Sequence, residues 1–142
     1  MLYPIFTAFK DRLNTPEAPA QGIDLPVEWY NVQYEGTMVN PQGFFVEFPE
    51  KMNFENASNQ MRRSPVKIRL HYYSMVPQTQ DGIADATTEE HEAIAKAAKD
   101  LLDGYTPANG SCSRLTFVGW QHWHRWKGWM VTFIEFEAKK TL

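Results

Sequence analysis

Residues 129–138, WMVTFIEFEA, form a run of β-branched and aromatic residues that is apolar on both sides of the strand it predicts. Alternation puts Met130, Ile134, Phe136 and Ala138 on one face and Trp129, Val131 and Phe133 on the other. A strand with two apolar faces belongs inside a sheet that is covered on both sides. Only two segments of the chain have helical spacing, so part of the cover on the second face is expected to come from another subunit.

The same strand closes the most aromatic stretch of the chain. GWQHWHRWKGWM, residues 119–130, holds four of the five tryptophans and two of the four histidines. A strand over 114–123, a turn around HRWKG and the strand over 129–138 make a C-terminal β-hairpin. Trp120, Trp123, Trp126 and Trp129, interleaved with Arg125 and Lys127, resemble a platform for stacking nucleic-acid bases. The chain as a whole has a formal net charge of −3, however, and a phosphate-binding surface normally shows as a strongly basic stripe. Cross-strand aromatic pairs brace hairpins, and aromatic clusters with a few charges also form the centres of protein interfaces. The order of expectation is hairpin packing, then a subunit interface, then nucleic acid.

VKIRLHYYS, residues 66–74, predicts the strongest strand of the first half. Val66, Ile68, Leu70 and Tyr72 make its core face; Lys67, Arg69, His71 and Tyr73 make a basic face, with Arg62 and Arg63 nearby. The polar segment over 75–86 reads as a long loop, a length that in a small domain is functional or mobile, and Asp81 and Asp85 give it acidic character. The basic face and the acidic loop are an expected complementary pair between copies of the chain. The interface candidates are therefore Lys67, Arg69, His71, Asp81, Asp85, Trp120, Trp123, Trp126 and Trp129.

Around these elements, Leu2, Ile5, Phe6, Phe9 and Leu13 recur at helical spacing, with Pro4 at an early position where its missing N–H costs little. Lys10, Asp11 and Arg12 interrupt what would be the apolar core of a signal peptide, so this segment reads as mature structure. Residues 14–26, rich in proline, read as an extended connector. Strands are expected over 27–34, over 43–48 with Phe44, Val46 and Phe48 on one face, and in KMNFE, 51–55. A second helix is signalled by Thr87 with Glu90 three residues later, by acidic residues in its first turn and by Gly104 as its stop. Its buried stripe is Ile94, Ala97, Ala98, Leu101 and Leu102, and Glu92 is expected to pair with Lys96. The expected fold is α+β over one domain, 1–142: a mainly antiparallel β-sheet, an N-terminal helix, a second helix packed on the sheet, and the C-terminal hairpin.

No sequence motif assigns a catalytic, cofactor-binding or metal-binding residue. There is no GxSxG, HExxH or glycine-rich phosphate loop. The single cysteine, Cys112, reads as a small residue at the start of a strand; it can form neither an internal disulfide nor a cysteine-rich zinc site. Glu47, Glu55, Glu135 and Glu137 read as strand-face residues rather than a glycosidase pair. No run approaches the roughly 20 apolar residues of a membrane span. A competing reading is a small metal-dependent hydrolase or ligand-binding protein using His71, His122 and His124, which requires those three imidazoles to converge.

The succession of short helix, connector, strands, the long strand VKIRLHYYS, a loop, the helix TEEHEAIAKAAKDLLDGY and a hairpin ending GWMVTFIEFEA resembles the tail terminator, or tail completion, proteins of long-tailed bacteriophages and prophages. The resemblance is carried mainly by residues 66–138. It implies a structural protein without enzymatic activity or cofactor, assembled into a homo-oligomeric ring, a hexamer. Such a ring caps the tail tube, stops its polymerisation and joins it to the head-tail connector. Its implied partners are copies of itself, the tail tube protein and the connector protein, without nucleic acid or membrane. Its implied location is the virion tail, reached from the host cytoplasm during assembly. The abundance of tryptophan in 119–130 goes beyond what the family pattern requires.

Overall fold

A computed structural model describes residues 1–14, 23–58, 61–79 and 82–142, leaving out the side chains of residues 78 and 79. Among these residues the order is α1 (Tyr3–Leu13), β1 (Val27–Trp29), a 3₁₀ turn (Gln33–Glu35), β2 (Gln42–Glu47), β3 (Glu55–Asn56) and β4 (Arg62–Met75). It continues with β5 (Gln78–Thr79), β6 (Gly82–Ile83), α2 (Asp85–Leu102), β7 (Thr116–Trp123) and β8 (Trp129–Thr141). The main sheet runs β1-β2-β4-β8-β7, with β3 paired to the start of β4. Only β1 and β2 are parallel; the other pairs are antiparallel, which gives the expected α+β fold.

The centre of the sheet is β4 against β8, in register from Arg63↔Thr141 to Met75↔Trp129. Val66, Ile68, Leu70 and Tyr72 join Ile134 and Phe136 on the face under the helices, as alternation predicts. The helices supply matching stripes. α1 buries Ile5, Phe6, Phe9 and Leu13. Arg12 in its last turn donates to the Leu101 carbonyl at 2.8 Å, with its guanidinium 4.6 Å from the Tyr105 ring centre. α2 buries His91, Ala95, Ala98, Leu101 and Leu102, so its inward stripe is turned from the expected one: Ile94 and Ala97 sit at its margin.

Several boundaries differ from expectation. The strand predicted over 27–34 stops at Trp29, because Val32 takes a left-handed backbone with φ 50° and the chain turns Tyr34 onto the sheet's second face. KMNFE contributes only Glu55 to a two-residue strand. The segment read as a loop over 75–86 contains the β5–β6 pair and the beginning of α2. That helix starts two residues before Thr87, capped by no side chain; the Thr88 hydroxyl instead donates back to the Ala84 carbonyl. Lys96 pairs with Asp100 rather than with Glu92, which reaches His122 instead. The hairpin is as expected except that β7 begins at Thr116 rather than Arg114, β8 continues to Thr141, and an irregularity between Phe117 and Gly119 puts Phe117 and Trp120 opposite Phe136 and Ile134. The connector expected over 14–26 lies largely outside the described residues.

Much of the cover on the second face comes from this chain itself. Phe45, Tyr73, Val131 and Phe133 pack there with Tyr34, flanked by Tyr30, Met38, Trp123, Trp126 and Trp129. The closeness of this packing shows at Gly43, which sits opposite Tyr73 in the β2–β4 register. A β-carbon at Gly43 would lie 2.7 Å from the Tyr73 hydroxyl and 2.9 Å from the Pro26 carbonyl oxygen. Gly43→Ala is therefore expected to lower stability by about 1–3 kcal/mol through overpacking, measured by urea unfolding. Gly119→Ala, where a β-carbon meets nothing within 4 Å, serves as the control.

Candidate interface surfaces and the histidine network

On the face away from the helices, β4 and β8 change character along their length. Near the start of β4, Lys67 lies 3.4 Å from Glu50 and 3.7 Å from Glu137. One step further, Arg69 lies 3.4 Å from both Glu47 and Glu135. The strand face expected to be basic is thus a row of cations flanked by acids from the neighbouring strands, because the cross-strand partners of Lys67 and Arg69 are Glu137 and, for Arg69, Glu135 and Glu47. Half-exposed pairs of this kind contribute about 0–1 kcal/mol each and serve mainly to neutralise the face.

Next along β4, His71 is 2% exposed. Its Nε2 is 2.8 Å from Glu47 Oε1 and its Nδ1 is 3.1 Å from the Tyr34 hydroxyl. With Nε2–H donating to the carboxylate, Nδ1 accepts from Tyr34, so one neutral tautomer satisfies both partners. Tyr30 stacks on the imidazole at 4.5 Å and Phe133 meets it edge-on at 4.5 Å. Burial lowers the His71 pKa, against the opposing pull of Glu47. The hydrogen bond from His71 lowers the Glu47 pKa, against the effect of burial.

The four hairpin tryptophans do not form one surface. Trp123 packs on Phe133 at 5.2 Å and meets Tyr34 edge-on at 5.2 Å; Trp126 lies 6.1 Å from Trp123, and Trp129 lies 5.9 Å from Tyr73. Arg125 stands 5.3 Å from the Trp126 ring centre. These three rings are half-buried against their own sheet. Trp120 is on the helix side of β7, 47% exposed, touching Phe117 edge-on at 5.9 Å, and Val118 beside it is 50% exposed.

The histidines of the competing reading do not meet. His71 is on the aromatic face, whereas His122 is opposite Thr132 on the helix side, with Nδ1 3.0 Å from the Thr132 hydroxyl and Nε2 2.6 Å from Glu92. His124 lies beside His122, with ring centres 6.3 Å apart. Among the described residues no group of three or more His, Cys, Asp or Glu could hold a metal ion. Asp85 is in the first turn of α2, and Asp81 lies outside the described residues. Cys112 is buried, and burial raises its pKa. No described helix is long and apolar enough to cross a membrane.

One buried group was not anticipated from sequence. His91 is 2% exposed, with Nδ1 2.7 Å from the Ser74 hydroxyl and Nε2 2.9 Å from the Thr132 hydroxyl. The available signal was its position one turn before Ala95 on the buried stripe of α2. Burial, helped by the charge of His122, lowers its pKa to about 4.

No protein-family model matches the chain, and no curated protein does. Its fold is shared with a chain in the solved structure "Virion of native gene transfer agent (GTA) particle", with a TM-score of 0.68 and 15% sequence identity. The match covers 97% of this chain and 95% of that one. The likeness therefore extends over the whole architecture, from α1 to β8.

Two outcomes follow. His71 and His91 bind protons more weakly when folded, so their contribution to stability is complete above the ordinary imidazole value of 6.5 and is lost as pH falls below it. For His91 the loss continues to about pH 4 and amounts to about 3 kcal/mol. Glu47 adds a loss in the same direction below its ordinary value of 4.5. Urea unfolding at pH 7 and pH 4 is expected to show this decline, and His91→Gln to flatten it. Separately, Trp126→Ala is expected to cost about 2 kcal/mol and Trp120→Ala less than about 0.5 kcal/mol in thermal or urea unfolding.

Proposed function

We propose that the protein is a structural component of a tailed-phage-type particle, and specifically a tail terminator. In this role it forms a ring on the end of the tail tube, stops tube polymerisation and presents a surface to the head connector. The observation that carries this reading is the end-to-end fold match to a chain of a gene transfer agent virion. It agrees with the resemblance of residues 66–138 to tail terminator proteins. The histidine positions favour it over the hydrolase, since His71 and His122 project from opposite faces of the sheet.

A closed ring joins one patch of each subunit to a different patch of the next. Of the candidate contact residues, Trp120 is the one large apolar side chain left substantially exposed on a free edge strand, so it takes the central place in this reading. Lys67 and Arg69, already paired within the chain, take a peripheral place with Asp85. Trp123, Trp126 and Trp129 support the hairpin that carries Trp120.

The test is mass in solution by light scattering over a concentration series, with electron microscopy of tail tubes assembled from the tube protein of the same particle. Expected are rings, or monomers that seat on tube ends and stop their growth. Trp120→Ala is expected to fold normally and to weaken that assembly by roughly tenfold or more, as removal of an interface centre does. A monomer that neither self-associates nor binds tubes would overturn the reading.

A further inference from the structure

Five polar groups link the surface of α2 to a cavity under its N-terminal turns. From the outside inward they are Glu92, His122, Thr132, His91 and Ser74, with successive separations of 2.6, 3.0, 2.9 and 2.7 Å. A carboxylate can only accept, so its partner His122 must donate through Nε2–H. In a neutral imidazole Nδ1 then accepts, which obliges the Thr132 hydroxyl to donate to it. The Thr132 oxygen in turn accepts from His91 Nε2–H, His91 Nδ1 accepts, and Ser74 must donate. One fixed end sets the direction of every bond.

The inner end of this chain opens on a cavity of about 200 Å³. Ser74 reaches it with its proton already committed to His91, leaving oxygen lone pairs for a ligand. Glu90 brings a carboxylate with no ion pair among the described residues, and Pro41, Met75 and Val76 supply apolar wall. The Tyr72 hydroxyl, also at the wall, donates to the Gln42 side-chain oxygen at 3.0 Å. A long side chain with an apolar stem and a cationic, donor-only head matches this lining.

We propose that the cavity is a binding site for a cationic side chain of a partner protein, an arginine or lysine, and that the hydrogen-bond chain from Glu92 through His122, Thr132 and His91 holds Ser74 as an acceptor for it. Burial lowers the His91 pKa, which keeps its imidazole neutral at pH 7 and able to accept from Ser74.

Imidazole nitrogen NMR reads the chain, and titration with methylguanidinium chloride reads the site. At neutral pH, His91 is expected as the Nε2–H tautomer, with saturable methylguanidinium shifts at His91 and Ser74 that Glu90→Gln reduces severalfold. His122→Leu, a change at a half-exposed position, is expected to leave the fold intact, to remove the preference for the Nε2–H tautomer at His91 and to weaken the methylguanidinium shifts. An Nδ1–H tautomer at neutral pH in the unmodified protein, or absence of saturable methylguanidinium shifts, would overturn the proposal.

Discussion

The structure depends on covering both faces of one long antiparallel pair. β4 and β8 stay in register from Arg63↔Thr141 to Met75↔Trp129, and their alternating side chains are apolar on both sides over much of that length. Two helices can cover only one face. The second is covered by rings on short excursions of the chain, namely the turn at residues 33–35 and the end of the β7–β8 hairpin. The concentration of tryptophan in residues 119–130 is a consequence, since a large flat ring at a hairpin end covers much sheet with few ordered residues.

His71 marks where that aromatic cover gives way to paired charges. It is bonded to Glu47 on the charged side and to Tyr34 on the aromatic side, and its neutral form satisfies both. The left-handed turn at Val32 brings Tyr34 to it, and Tyr34 then supports Trp123 and Trp126. A local backbone feature and a buried imidazole therefore fix the hairpin's aromatic end. A buried polar group of this kind is costly when half-satisfied, so a misplaced 33–35 turn would expose both the imidazole and the rings above it.

Periodicity made most of the fold legible. The core face of β4, the two-sided character of β8, α1 and the hairpin all follow from spacing alone, because burial imposes a period of two or 3.6 on side chains. The failures at the candidate site share one cause: they depend on which residue from a distant segment stands opposite. Lys67, Arg69 and His71 read as a basic face until β2 and β8 place Glu47, Glu135 and Glu137 beside them. Helical spacing pairs Glu92 with Lys96, but His122 of β7 stands 2.6 Å from the Glu92 carboxylate. The network through His91 depends on three elements at once, so no local pattern announces it. The left-handed backbone at Val32, a β-branched residue, was equally hidden, since propensity favours an extended strand there.

The two edges of the sheet constrain how copies of this chain can associate. At one edge is the three-residue β1, parallel to its neighbour; at the other is the eight-residue β7, carrying Val118 and Trp120. Association of one edge with the other would join unlike surfaces and propagate in one direction, whereas β7 against β7 would close as a two-fold pair. An unbroken edge would make such propagation open-ended, as in aggregation. The irregularity between Phe117 and Gly119 interrupts the strand where its exposed apolar residues begin, bending the edge away from flat pairing. The edge therefore presents the side chains of Val118 and Trp120 rather than a flat run of backbone groups; in any head-to-tail contact, the rotation between neighbours would set whether the assembly closes as a ring or runs on as a filament.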